Sequence, residues 1–259
     1  MPNLAPANFV QWMTQNTQVD RKLGHEYRYH PRSDSHSIAI CKLVVEDLVN
    51  ACPLLAEHAR LGKVVYGVNV EYMWPRSSKT KTIDLALGFP VDTVVDLLPG
   101  FPIAEAAMRQ VIFSCEAKAC MTEHSKSQPR IFDELSSSHA IVHAGDNNAI
   151  AAGITVVNIA NRFVSPLRQK IPGAALEWTN HTQPRAATNM VNHLRGLPIR
   201  SSLDEPGFDA FATIVIDCDN QQPAGLINAP PAPQPGERDH YDTFVESIAR
   251  AYTERFSSL

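Results

Sequence analysis

Apolar side chains recur at helical spacing between residues 38 and 49. Ile38, Cys41, Val44, Val45, Leu48 and Val49 form one stripe, as an amphipathic helix requires. Asp34, a residue type favoured at helix starts, sets its beginning. Pro53 breaks that helix, and residues 54–61 continue as a second piece. The period then changes from helical to two. Over residues 63–74, Val64, Tyr66, Val68, Val70, Tyr72 and Trp74 fall on one parity, with Gly67, Asn69 and Glu71 on the other, which predicts a half-buried strand. Residues 75–78, Pro-Arg-Ser-Ser, read as a turn, and residues 81–89 as a second strand. Its apolar face is Ile83, Leu85, Leu87 and Phe89, and its other face is Thr82, Asp84 and Ala86.

Residues 90–109 read as a connection with a short helix after Pro102. A third strand is expected over 110–121, then a helix over 129–143 with Pro129 in its first turn and Asp133 and Glu134 just behind. Residues 154–159 give a fourth strand, 211–218 a later one, 230–235 a proline-rich loop and 241–256 a closing helix. Residues 1–34 are mixed and polar and read as an arm or a short helix plus loop. Helices and strands therefore mix without strict alternation. That predicts an α/β fold with a mixed β-sheet flanked by helices, its core in the order αβββαβ.

The chain of 259 residues suits a single domain. With 44% apolar and 19% charged residues, it is not a disordered chain. No apolar run is long enough for a membrane span, and no basic-then-apolar leader opens the chain. Five cysteines, an odd number without a CxxC pair, read as buried hydrophobes in a reducing, cytoplasmic setting. Net charge is −4, which by itself speaks against a protein that coats nucleic acid. Its distribution changes that picture. Residues 151–203 carry six basic side chains against Glu177 alone, net +5, while residues 204–259 carry 3 basic and 10 acidic, net −7. The basic island is either a surface stretch paired with the acidic tail or a nucleic-acid contact.

The candidate chemistry lies in the strands. Glu116 and Lys118 share one parity inside an otherwise apolar strand, and Asp84 interrupts the strand before it. Charges in mid-strand are costly unless they serve one another, so the three are read as one site. Two carboxylates with a backbone carbonyl and waters hold a hard divalent cation. An adjacent ammonium completes the equipment for metal-assisted phosphodiester hydrolysis. Asp20-Arg21-Lys22 has the same acid-x-Lys spacing but lies in a polar stretch. His139 and His143 have a zinc-like i, i+4 spacing, but Ala140 stands where a HExxH glutamate is needed, so they are read as a packing pair.

Ile83-Asp84 followed 32 residues later by Glu116-Ala117-Lys118 resembles the PD-(D/E)XK nuclease superfamily over about residues 35–160. The stretch from Glu116 to Leu135 is similar to some type II restriction endonucleases, with Ile83 in place of the motif's proline. The resemblance implies a restriction-endonuclease-like fold, a Mg²⁺ cofactor held by Asp84, Glu116 and the Ala117 carbonyl, and Lys118 as the catalytic lysine. A further acid is expected from Glu71 or Glu46.

A nuclease must also grip phosphate and read bases. Within the island, Arg185, Asn189, Asn192 and Arg195, with Asn180, His181, Gln183, His193 and Arg200 beside them, form a run of base-reading residue types. Lys126, Gln128 and Arg130 after the catalytic strand, and the Lys79-Thr80-Lys81 cluster before Asp84, are candidate phosphate contacts. The expected organisation is one nuclease domain over 1–259. It comprises an N-terminal arm (1–34), a catalytic core (35–160), a DNA-recognition segment (161–205) and a C-terminal strand and helix (206–259). The expected activity is sequence-specific cleavage of double-stranded DNA by a homodimer, with a structure-specific or repair nuclease, or a non-catalytic DNA-binding protein, as alternatives.

Overall fold

The computed structural model describes residues 3–73, 80–92 and 100–259. In chain order the elements are α1 (Ala5–Gln15), β1 (Gln18–Asp20), β2 (His25–Tyr27), α2 (Ser35–Ala51), α3 (Pro53–Arg60), β3 (Val65–Met73), β4 (Thr80–Pro90) and β5 (Met108–Cys120). There follow α4 (His124–Gly145), β6 (Ile150–Asn158), β7 (Arg162–Val164), β8 (Trp178–Asn180), α5 (Arg185–Leu194), β9 (Ala210–Asp217), β10 (Gly225–Ile227) and α6 (Tyr241–Phe256). The protein is α/β, with a six-stranded mixed sheet in the order β10-β9-β6-β5-β4-β3. β5, β6 and β9 run parallel, and β3, β4 and β10 are antiparallel to their neighbours. The segment from α2/α3 to β6 has the expected αβββαβ order.

Helices cover both faces of the sheet. One face packs α1, α2, α3 and α6 over the even-numbered residues of β6 and β9, such as Ile154 and Ile214. The other packs α4 and α5, through Ile131, Leu135, Met190 and Val191, over odd-numbered Val157 and Val215. β6 lies at the centre and all its residues from Ile150 to Asn158 are buried. A strand buried on both faces needs no polar alternation, and this is why its first half, Ile-Ala-Ala-Gly, escapes a search for period two.

Several expectations are corrected here. Of the two readings of the N-terminal stretch, the short helix is found, as α1, and it is not a free arm: Ala5, Phe9, Val10 and Met13 are buried in the main core. Asp47 on α2 holds this helix in place. Its carboxylate accepts the Leu4 and Ala5 amides at 3.1 and 2.8 Å and the Tyr241 hydroxyl at 3.1 Å. It thereby caps one helix from another and ties both to α6. Removing a buried acceptor strands several donors, so Asp47→Ala is expected to destabilise the protein by about 2–3 kcal/mol, measured as a shift in urea midpoint at unchanged slope.

Helix α4 starts at His124, so Pro129 lies inside the helix and not in its first turn. The buried His124 ring anchors this early start through Nε2 on the Asn158 carbonyl at 2.7 Å. No helix follows Pro102: residues 104–106 run along β3 as an isolated bridge. Trp74 and the turn at 75–78 lie outside the described residues.

The alternation read in β3 and β4 also reverses partway. Val68 and Leu85 pack into the core beneath α2, whereas Val70 and Ile83 pack toward Val142 of α4. These pairs face each other in register as Val68↔Leu85 and Val70↔Ile83, and the intervening Asn69 and Asp84 stand outside the ladder. Asn69 takes a left-handed φ of 51°, a conformation asparagine tolerates better than most residues. One residue off the extended path turns the pleat over for the rest of both strands.

Candidate active site

Pairing of β4 with β5 stops at Leu85↔Cys115. Beyond this point the Asp84 carboxylate stands in for a backbone carbonyl and accepts the Ala117 N–H at 2.8 Å. Glu116 and Lys118 leave β5 on the α4 side, where Ser138 of α4 donates to Glu116 Oε2 at 3.1 Å. Lys118 Nζ lies 2.5 Å from Glu116 Oε1, 3.7 Å from Glu134 Oε2 and 3.9 Å from Asp84 Oδ2. Lys81 reaches the other Glu116 oxygen at 3.3 Å. The three charges that the sequence singles out are thus brought together, with two further residues, Lys81 and Glu134.

The electrostatics follow from burial. Removal from water, then repulsion by Glu116, pushes the Asp84 carboxyl up to about 6, against the pull of Lys118, the Ala117 N–H and Lys81. Burial alone would lower the Lys118 ammonium, but Glu116, Asp84 and Glu134 hold it above the ordinary lysine value. Beneath them, burial pushes the thiols of Cys41 and Cys115 well up, with Asp84 and Glu116 adding to both and Cys115 to Cys41. All five cysteines are free and buried.

Asp84, Ala117 and Lys118 open into a cleft of about 270 Å³. Its far wall is Tyr29, His36, Ser37 and Ile40 at the start of α2, and its near wall includes Arg130 and Glu134 of α4. Glu71 is exposed and pairs across the ladder with Thr82. Among the described residues it makes no ion pair. Glu46 sits further along α2, away from the residues that line the cleft, and burial and neighbouring Asp47 raise its pKa. The acid found beside Lys118, in addition to Asp84 and Glu116, is Glu134 at 3.7 Å. No local pattern marks it in the sequence, where it reads as an ordinary polar position of the helix.

The DNA-contact candidates divide. Lys126 and Arg130 are largely exposed on the first turns of α4, paired with Glu123 and Glu134, and Gln128 lies between them, half-buried. Arg185, Asn189 and Asn192 form an exposed i, i+4, i+7 stripe on α5, whose opposite face is buried through Ala187, Met190, Val191 and Leu194. Arg195 instead turns toward the C-terminal acids, 3.0 Å from Asp239 and 2.6 Å from Glu237. Arg200 is buried against Asp209. His181 and Gln183 are taken up by local bonds, His181 to Thr122 and Ala160 and Gln183 to Asn158 and Ala187. Lys79 lies outside the described residues.

His139 is buried beside Phe208 and His143, with ring centroids 5.0 and 6.1 Å away. Burial, then His143 and Arg200, lower its pKa to about 4. Among the described residues no group of three or more His, Cys, Asp or Glu is arranged to hold a metal ion. Asp84 and Glu116 are a carboxylate pair whose remaining ligands would be the Ala117 carbonyl and water. Among the described residues no helix is long and apolar enough to cross a membrane. Comparison with family models, with curated proteins and with solved structures gives no match.

Proposed function

We propose that the chain is a Mg²⁺-dependent endonuclease of double-stranded DNA, of restriction type, with a PD-(D/E)XK-like site at Asp84, Glu116 and Lys118. The observation that carries this reading is the Lys118 ammonium set among Asp84, Glu116 and Glu134 at the C-terminal end of β5. A buried carboxylate pair in mutual repulsion is the chemistry of a hard-cation site. Asp84 and Glu116, with the Ala117 carbonyl and water, would be the groups to hold such an ion. When bound, Mg²⁺ polarises the phosphoryl group and lowers the pKa of its water.

The protein groups do the rest. Lys118, held charged by its acids, offsets the negative charge that develops on the phosphate oxygens. Ser138 and Lys81 fix the rotamer of Glu116 through its second oxygen. Arg130 at the cleft wall, with Lys126 one turn earlier on α4, would counter backbone phosphates. The α5 stripe of Arg185, Asn189 and Asn192 has the side chains that read guanine and adenine edges in a major groove. A homodimer would cut both strands of a two-fold symmetric site.

Mixed-sequence duplex DNA incubated with the protein and Mg²⁺ is expected to give a discrete fragment ladder on a gel, abolished by EDTA. A featureless smear favours a non-specific or structure-directed nuclease. Binding without cleavage in any divalent metal favours a non-catalytic DNA-binding protein. A neighbouring reading frame for a DNA methyltransferase would further support the restriction role.

A further inference from the structure

The β7–β8 ribbon and its loop, residues 162–180, send Phe163 and Val164 into the core, and the loop beyond them, residues 165–177, projects from the sheet. They rise from the C-terminal end of β6, the sheet end that holds the candidate site. Two tethers join the ribbon to the cleft. Arg168 pairs with Glu123, the residue that opens α4, at 2.5 Å. On the other side, the fully buried Asn220 donates to the Val164 carbonyl at 2.8 Å and to the Tyr29 carbonyl at 2.9 Å, and Tyr29 lines the cleft.

The loop between the strands is a built object. The buried side chain of Gln169 closes it, donating to the carbonyls of Ser165 and Glu177 at 3.2 and 3.0 Å and accepting the Glu177 amide at 2.9 Å. This clamp holds Leu167 and Ile171 in solvent at 49% and 67% exposure. Arg168 and Lys170 lie between them in sequence, and Arg162 at the base of the ribbon stacks over Trp178 at 4.0 Å. Among the described residues, Lys170 and Arg162 have no acidic partner, and Glu177 is the one acid of the loop. A loop that presents two exposed aliphatic side chains on a ribbon rich in cations suits a partner with an apolar interior and an anionic rim. Duplex DNA is such a partner: base steps admit apolar wedges and phosphates border the grooves.

We propose that this ribbon is a DNA-wedging arm: Leu167 and Ile171 enter a base step beside the cleft while Lys170 and Arg162 hold the flanking phosphates. The inference rests on the nuclease reading but is tested apart from it. The full chain is mixed with a duplex it cleaves, carrying 2-aminopurine at successive positions, in Ca²⁺ to hold it uncut. Fluorescence is expected to rise several-fold at one step on binding. In the double variant Leu167→Ser, Ile171→Ser, both sites being exposed, this rise is expected to vanish and affinity to fall about tenfold. Lys170→Gln is expected to keep the rise and to reduce the slope of log affinity against log salt by about 1. If the wild-type protein binds and cuts DNA but no position brightens, or the double variant brightens as wild type does, the wedge is overturned and the nuclease reading stands. If the double variant instead loses only self-association, the patch is a contact between copies and the proposal fails. A protein that binds no duplex overturns both.

Discussion

Asp84→Asn is expected to lower Mg²⁺-dependent DNA cleavage by about 10³-fold or more, with duplex binding in Ca²⁺ preserved. Lys118→Ala should do the same, since its ammonium touches all three carboxylates. Steady-state cleavage and a parallel gel-shift titration check both. The Asp84 substitution carries a second signature. The folded carboxyl is raised from 3.8 to about 6 by burial and by Glu116. A carboxyl raised on folding favours the native state only while protonated. Its penalty therefore appears as pH climbs from about 4 and is complete above about 6. Asparagine has no such penalty and its amide oxygen still accepts the Ala117 N–H. The variant is thus expected to be more stable than wild type at pH 8, by roughly 2 kcal/mol, and to lose that advantage near pH 4. Urea midpoints at the two pH values test it. Full cleavage by the variant would remove Asp84 from the site, and an advantage independent of pH would remove the electrostatic explanation.

Asp209→Ala is expected to be the most damaging structural change, at about 3–5 kcal/mol. The Asp209 side chain is 4% exposed and accepts Arg200 Nε at 2.9 Å, Arg200 Nη2 at 3.0 Å and the Ala151 amide at 2.8 Å. It also pairs with Arg255, and His143 Nε2 lies 3.5 Å away. Removing it leaves two guanidinium groups without their counter-charge, one of them, Arg200, 1% exposed. Burial pushes the Asp209 carboxyl up, but His143, Arg255, Arg200 and the Ala151 amide together draw it well below the usual carboxylate range. For a group depressed on folding, the stabilisation is present above the unfolded value of about 3.9 and is lost as pH falls below it. Wild-type stability should accordingly drop below about pH 5, and Asp209→Asn should show low stability with a flatter acid limb. Calorimetric unfolding between pH 7 and pH 3 distinguishes these outcomes. A variant within 1 kcal/mol of wild type at neutral pH would show that the ion cluster is not a keystone.

The order of elements from α2 to β6 was legible because its signals are local: the stripe on α2, Pro53, and the change of period at residue 63. The closing helix at 241–256 was legible for the same reason. α1 was partly readable from Phe9, Val10 and Met13 at helical spacing, but its polar neighbours leave that stripe short and an arm equally compatible. The start of β6 carries no signal of its own, since alanine and glycine become a strand only through pairing on both sides. At the site, Asp84, Glu116 and Lys118 announce themselves as charges inside apolar strands. Glu134 and Lys81 do not, because each is an ordinary polar position until the tertiary fold brings it to Glu116 or Lys118. Arg195 and Arg200 illustrate the converse. Both read as free cations in a basic island, yet their partners Asp239 and Asp209 lie in the acidic tail, so part of the +5 and −7 contrast cancels inside the molecule.

The pleat reversal at Asn69 has a consequence for how this site can be tuned. The reach of Asp84 into the cleft is set by a departure from regular geometry shared with a strand that supplies no group to the site. Side chains on β3 that shift the backbone at Asn69 by a fraction of an ångström would advance or withdraw the carboxylate without changing any surface that faces a substrate. Under the proposed nuclease function, rate would then be tuned on the β3–β4 pair and target selection on α5 and its neighbours. Variation can explore one while leaving the other intact.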